Sequence, residues 1–255
     1  MEPVSFLRAY FITAPLIVLA TIAFGLVSLI ISMFETSGRR QIAMARAWAR
    51  FLLWGSGVKV KVEGLEKIAS EGSYVFVSNH LSYMDTPVVL ANIPVQFRFL
   101  AKSGLFQIPL LGTHLARAGH IPVPRDDARA AVKTMSMAAQ AIRERGISLL
   151  IFPEGGRSHT GELAAFKEGA AYIAIRAGVP LVPIALHGTR EVLPFGSGHV
   201  RSGSVTMRIG KPIPTDQIQL RDRGRITAEL RERIVSMLDE QPIHCGTLPG
   251  LIARE

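Results

Sequence analysis

Tyr74-Val75-Phe76-Val77-Ser78-Asn79-His80-Leu81-Ser82-Tyr83-Met84-Asp85-Thr86-Pro87 passes from an unbroken apolar run to a polar turn and then to the start of a helix. Residues 74–78 have the β-branched and aromatic content of a buried strand, and 83–92 carry a helical pattern. Asn79 and His80 therefore fall at a strand-to-helix junction. Outward from it the same rhythm recurs, with strands expected at 58–63, 96–101, 119–123, 147–152, 181–186 and 204–209 and helices at 105–117, 127–145, 167–177 and 224–239. Such alternation predicts an α/β fold, a mixed central sheet flanked by helices, over residues 57–241. The unusual polar residues all follow strands: His80 the second, Arg125 the fourth, residues 154–157 the fifth and His187 the sixth. Open α/β sheets bind ligands beyond the carboxyl ends of their strands, so these segments are expected to meet in one crevice.

On one continuous helix His80 and Asp85 would point about 140° apart and pair poorly. His80 is therefore expected in the turn and Asp85 in the first helical turn, with Ser82 as N-cap. A capping box alone accounts for the aspartate. The chemical alternative is a carboxylate that orients one imidazole nitrogen and assigns the other to proton transfer from an alcohol. No G-x-S-x-G elbow is present and Cys245 is the only cysteine, so direct attack by a substrate hydroxyl is expected rather than a covalent enzyme intermediate. One cysteine also excludes an intramolecular disulfide and a multi-cysteine metal site, and the histidine spacing matches no zinc motif; no metal is expected.

Phe152-Pro153-Glu154-Gly155-Gly156-Arg157-Ser158 follows an apolar strand. Gly155 and Gly156 allow backbone amides to turn towards an anion, and Arg157 supplies a planar fork for phosphate; a tight surface turn with a solvated arginine is the plainer alternative. Glu154 is expected to hold Arg157 or a substrate hydroxyl. Lys102 after the third strand, Arg125 after the fourth and Lys167 at a helix start are further phosphate candidates, and each also suits a solvated surface. Residues 179–184, apolar with Pro180 and Pro183, read as core or as the wall of an acyl channel.

Of the 255 residues 48% are hydrophobic, and 29 Lys and Arg against 20 Asp and Glu leave a net charge of +9. The mean hydropathy of +0.28 is high for a soluble protein. The excess lies near the N-terminus, where no charge occurs between Arg8 and Glu35. As a helix that run would rise ~39 Å, enough to cross a bilayer. It is too long for a signal-peptide core and is expected to be retained as an anchor. Arg39, Arg40, Arg46 and Arg50 follow it and only Arg8 precedes it, which predicts a cytoplasmic membrane protein with its catalytic part on the cytoplasmic face. Residues 41–54 suit a second, interfacial helix, so 1–56 are expected to form a helical membrane anchor, spanning or monotopic. Residues 242–255 have no periodicity and read as a tail. The positive charge suits lipid headgroups, phosphorylated substrates, an acidic carrier or nucleic acid.

Taken together, these segments resemble the glycerolipid acyltransferases, and particularly the 1-acylglycerol-3-phosphate (lysophosphatidic acid) acyltransferase family. His80 and Asp85 fit its N-H-x-x-x-x-D block, residues 119–125 resemble its second, 152–158 its F-P-E-G-T-R-S block and 179–184 its proline-bearing fourth. Gly156 stands where the family usually has threonine, and Pro122 and Pro124 where it has other residues. The resemblance implies His80 as base, Asp85 as its orienter, and Lys102, Arg125, Glu154, Gly155, Gly156 and Arg157 around the acceptor's phosphate and glycerol. It implies acyl transfer from acyl-CoA or acyl carrier protein to the sn-2 hydroxyl of lysophosphatidic acid at a phospholipid bilayer, with no cofactor and no nucleic-acid partner. Another lyso-lipid or glycerol-3-phosphate as acceptor, or a non-catalytic lipid binder, are the alternatives.

Overall fold

The computed structural model describes residues 9–124, 127–158 and 161–240; the tail read at 242–255 lies outside them, as does Arg125. Six short, largely apolar runs and one run alternating valine with charge, Val58–Glu63, form strands: β1 (Val58–Glu63), β2 (Val75–Ser78), β3 (Phe97–Lys102), β4 (Ile121–Val123), β5 (Ser148–Ile151), β6 (Leu181–His187) and β7 (Gly203–Ile209). They build one mixed sheet in the order β1-β7-β6-β2-β5-β3-β4. Every pairing is parallel except β6 with β7, where Ile184 faces Ile209 and His187 faces Thr206. The expectation of a mixed sheet with helices on its faces holds.

The central strands are buried on both faces, as parallel strands covered by helices must be. Phe76 of β2 and Leu150 of β5 point to one core, with α2 (Arg39–Gly55) and α3 (Asp85–Asn92). Val75, Val77, Leu149 and Ile151 point to the other, beneath α5 (Ala128–Arg145), α6 (Gly169–Ala177) and α8 (Arg223–Asp239). The remaining helices are α1 (Ala14–Ser32), α4 (Leu111–Arg117) and the short α7 (Thr189–Val192).

Tyr10–Ser32, which contains α1, is long and apolar enough to cross a membrane, and most of its surface is uncovered by the rest of the chain. Three polar contacts hold it to the body. Trp48 of α2 donates to Thr21 Oγ1 at 3.0 Å, Ser28 Oγ and His114 Nδ1 of α4 share a hydrogen bond of 2.9 Å, and Arg117 donates to the Ser32 carbonyl at 3.1 Å. They join α1 to α2 and α4 at three levels along its length and so set the helix's bearing on the body.

One expected element differs. The single helix expected at 105–117 is instead a 3-10 turn (Ser103–Gln107), a break, and then α4. Pro109 causes it: proline lacks the amide the ladder needs and pushes the residue before it out of the helical region, and Ile108 is extended at φ −74°, ψ 124°.

Candidate active site

The turn leaving β2 is held from three sides. Asn79, fully buried, continues the sheet with its side chain: Nδ2 donates to the Leu186 carbonyl at 2.9 Å and Oδ1 accepts from the Leu186 amide at 2.8 Å. The His80 amide donates to Glu154 Oε1 at 2.7 Å, and the His80 carbonyl accepts from the Ser158 amide at 3.2 Å. Ser82 donates its hydroxyl to the Leu193 carbonyl at 2.6 Å and accepts from the Met84 amide at 2.9 Å. The backbone from 79 to 84 is thus tied to the ends of both neighbouring strands, so the imidazole has a defined position before any ligand arrives.

Within this turn His80 Nδ1 lies 2.8 Å from Asp85 Oδ2. Asp85 is 0% exposed and His80 9%. The same oxygen accepts from the Leu81 and Ser82 amides, each at 2.8 Å. Asp85 therefore does both tasks that its spacing allowed, closing the turn ahead of α3 and engaging the imidazole. With Nδ1 committed to the carboxylate, Nε2 is the ring nitrogen through which such a pair can exchange a proton.

A column of rings fixes the plane of that imidazole. His80 stacks on Phe152 with centroids 3.8 Å apart at 13°, and Phe152 is parallel to Phe99 at 6.3 Å. Phe99 donates its amide to His120 Nδ1 at 2.9 Å. Burial first, then the charges of His114 and Arg98, lower the His120 pKa to about 3, which keeps its ring neutral and Nδ1 an acceptor. Sequence inspection missed Phe152, Phe99 and His120 as site members. Phe152 stood at the head of a quoted motif, but nothing in a linear pattern marks a ring as stacked on another so distant in the chain, as Phe152 is on His80 and Phe99.

The loop after β5 carries the remaining expected residues. Glu154 was expected to hold Arg157 or a substrate hydroxyl; in place of Arg157, its two oxygens accept from the backbone amides of His80 and Ala164, the latter at 3.0 Å. Burial raises its carboxyl pKa, and the two amide hydrogen bonds work against that shift. Gly155 turns at φ +77°, and a Cβ there would lie 3.0 Å from Lys167 Nζ, which places that ammonium over the turn. At Gly156, which is exposed, a Cβ would meet nothing within 4 Å, so the turn is open there. Arg157 Nε donates to the Ser82 carbonyl at 3.1 Å, and its guanidinium carbon sits 4.3 Å from the centre of the Tyr83 ring. His80, Asp85, Glu154, Gly155, Gly156 and Arg157 are thus brought together. Lys102 is exposed at the end of β3, two strands from β2, about 10 Å by strand spacing. Arg125 follows β4, whose last residue, Val123, pairs with Lys102. Residues 181, 182 and 184 are fully buried core.

Beside the ring column lies an apolar cavity of about 320 Å³. Thr86, Leu90 and Phe99 line the side towards the histidine, and Phe24, Gly25 and Leu110 the far side. Among the described residues no group of three or more His, Cys, Asp or Glu is placed to hold a metal ion.

Residues 59–187, the stretch that supplies His80, Asp85, Glu154 and Arg157, match the profile described as Acyltransferase, about half of the chain. The chain belongs to the acyltransferase family. Among curated relatives of this acyltransferase, a chloroplastic 1-acyl-sn-glycerol-3-phosphate acyltransferase of Arabidopsis thaliana is 34% identical over 77% of this chain and 53% of its own length. The 1-acyl-sn-glycerol-3-phosphate acyltransferase of Borreliella burgdorferi is 30% identical over 79% of this chain and 80% of its own. This acyltransferase chain spans about half the length of the first curated relatives it matches. A crystal structure of the 1-acyl-sn-glycerophosphate acyltransferase of Thermotoga maritima superposes with a TM-score of 0.76 at 22% identity, covering 94% of this chain and 99% of that one, and shares its fold.

Proposed function

We propose that this acyltransferase moves a fatty acyl group from an acyl thioester, acyl-CoA or acyl carrier protein, to the sn-2 hydroxyl of 1-acylglycerol-3-phosphate, forming phosphatidic acid. The observation that carries it is the 2.8 Å contact between His80 and Asp85 on the same turn that Arg157 grips. The acceptor oxygen attacks the thioester carbonyl while its proton passes to His80 Nε2. Asp85 steadies the imidazolium that forms. The tetrahedral intermediate collapses, the carbon–sulfur bond breaks, and the thiolate leaves with the proton that His80 returns. Arg157 and Lys167, with Lys102 and, by the family resemblance, Arg125, supply positive charge for the acceptor's phosphate, and the turn at Gly155 and Gly156 lets it approach the backbone. The apolar cavity behind Phe99 takes an acyl chain. The chemistry so drawn asks nothing of a metal or cofactor.

In the same proposal residues 1–56 anchor the protein in the bilayer, 57–241 carry out the reaction on its cytoplasmic face, and 242–255 trail as a tail. The apolar character of Tyr10–Ser32 supports membrane association, and the arginines that follow support the orientation. The test is purified full-length protein in vesicles with lysophosphatidic acid and a labelled acyl thioester, products identified by mass. Labelled phosphatidic acid is the expected product. Label on glycerol-3-phosphate or another lyso-lipid in parallel reactions, but not on lysophosphatidic acid, would reassign the acceptor. Thioester left intact with every acceptor would leave a lipid binder.

A further inference from the structure

The segment between β3 and α4 carries an apolar surface that neither the core nor the reaction explains. Leu105, Ile108, Leu110 and Leu111 are 39 to 45% exposed. Scattered exposed leucines are ordinary, whereas several within one short turn form a contiguous apolar patch. The backbone holds them there at a cost. Leu110 has φ 64° and ψ −55°, and the Leu111 amide donates to the Pro109 carbonyl at 2.7 Å, which is the rare classic form of the γ-turn. Leu110 is the only non-glycine residue with positive φ among those described. Strain of this kind persists only where the surroundings over-determine it. Here the Gly112 amide donates to the Ile108 carbonyl at 2.7 Å, and a Cβ on Gly112 would sit 2.0 Å from the Phe106 carbonyl oxygen, so the turn is closed tightly on itself.

Leu110 and Leu111, exposed on one side, also line the apolar cavity, together with Pro109 and with Phe24 and Gly25 of α1. The hydrogen bonds from His114 to Ser28 and from Arg117 to Ser32 keep the segment in register with that helix. Whatever surrounds the exposed flank of α1 therefore reaches the turn as well. At its base Lys102 is exposed, a cation suited to the headgroup layer when the leucines lie below it.

We propose that residues 105–111 are a second membrane-contact element dipping into the bilayer beside α1, and that the turn at Leu110 frames a lateral doorway through which an acyl chain passes between the bilayer and the cavity. The doorway rests on the acyl-transfer reading given above; the membrane contact rests on the apolar α1.

Two measurements test it. In full-length protein with Cys245→Ser, a single cysteine at Ile108→Cys carries an environment-sensitive fluorophore, and Asp216→Cys, exposed before α8 on the opposite face of the sheet, is the control. In vesicles of phosphatidylcholine and phosphatidylglycerol, the label at 108 is quenched by spin-labelled acyl chains and shielded from aqueous iodide, and the label at 216 shows the reverse. Iodide quenching at 108 equal to that at 216 overturns the contact. So does shielding seen only at high protein-to-lipid ratio, which would mean a second copy covers the patch. In the second measurement, Leu105→Asp with Ile108→Asp lowers the initial rate with a bilayer-embedded acceptor about tenfold and keeps the rate with a short-chain monomeric acceptor within about twofold. Equal losses with both acceptors, or none with either, overturn the doorway. If the unaltered protein acylates neither acceptor, the reaction assignment fails, and the quenching result still decides the membrane contact.

Discussion

Two carboxylate-centred clusters on the one sheet look alike and work differently. At the end of β2 Asp85 meets His80 at 2.8 Å, and at the β1–β7 margin Glu63 meets Arg208 at 2.7 Å. Arg208 is 8% exposed, donates also to the carbonyls of Met237 and Glu240, and so fastens the end of α8 to the sheet. Asp85 and Glu154 instead take backbone amides from the loops themselves, and those bonds present an imidazole to a crevice. Closeness and charge do not separate a reactive pair from a structural one. The separation comes from what surrounds each: the Arg208 cluster closes on helix-end carbonyls, and the His80 cluster sits between the glycine turn after β5 and a column of rings whose far end, Phe99 and His120, lines an apolar cavity.

The sharpest way to break this comparison is His80→Ala. Acyl transfer should fall by about 10³-fold or more with the unfolding midpoint within a degree or two of the parent, as for loss of a general base. A variant that keeps its rate, or that loses rate and fold together, would make the two clusters equivalent. Arg208→Ala should do the opposite, costing about 2–4 kcal/mol in denaturant unfolding because the Met237 and Glu240 carbonyls lose their donor and Glu63 keeps only Lys61, while the protein that remains folded keeps its acceptor KM. Arg157→Ala should raise the acceptor KM about tenfold, and kcat less. An unchanged KM with a reduced kcat would remove Arg157 from phosphate binding.

The smallest effect is in pH dependence, and there the two glutamates have opposite signs. Burial raises the Glu154 carboxyl above 4.5, so the native state holds that proton more tightly than the unfolded chain. Its share of stability is full below 4.5 and is lost as pH rises through the raised native value. The hydrogen bond from Lys61, and then that from Arg208, hold Glu63 below 4.5, so its share is present above that value and lost as pH falls through the lowered one. Unfolding curves of Glu154→Gln and Glu63→Gln against the parent, from about pH 3.5 to pH 7, should therefore diverge in opposite directions. Parallel trends would show that both carboxylates do the same structural work.

Much of this was legible from residue order. Each strand begins and ends within two residues of its expected place, because apolar runs and the alternating Val58–Glu63 segment are bounded by polar or glycine-containing turns. His80 and Asp85 were readable because five positions put one residue in the turn and the other in the first helical turn. Glu154 was legible as a site member and illegible in its partners: a carboxylate beside an arginine suggests an ion pair, and the amides it accepts from belong to His80 and Ala164, which only folding brings near. The break at Pro109 could have been read, since proline inside a helical pattern ends it.

Alternation of apolar and polar residues sets the kind and length of each element locally, and on this chain it determined the α/β class, the apolar N-terminal helix and the pairing of His80 with Asp85. The order β1-β7-β6-β2-β5-β3-β4, the ring column behind His80, and the cavity shared by α1 and the Leu110 turn were decided by tertiary structure alone. Such features depend on which buried faces meet across long loops, and closing those loops costs nearly the same free energy for many rival arrangements, so only the packing of the whole chain chooses among them.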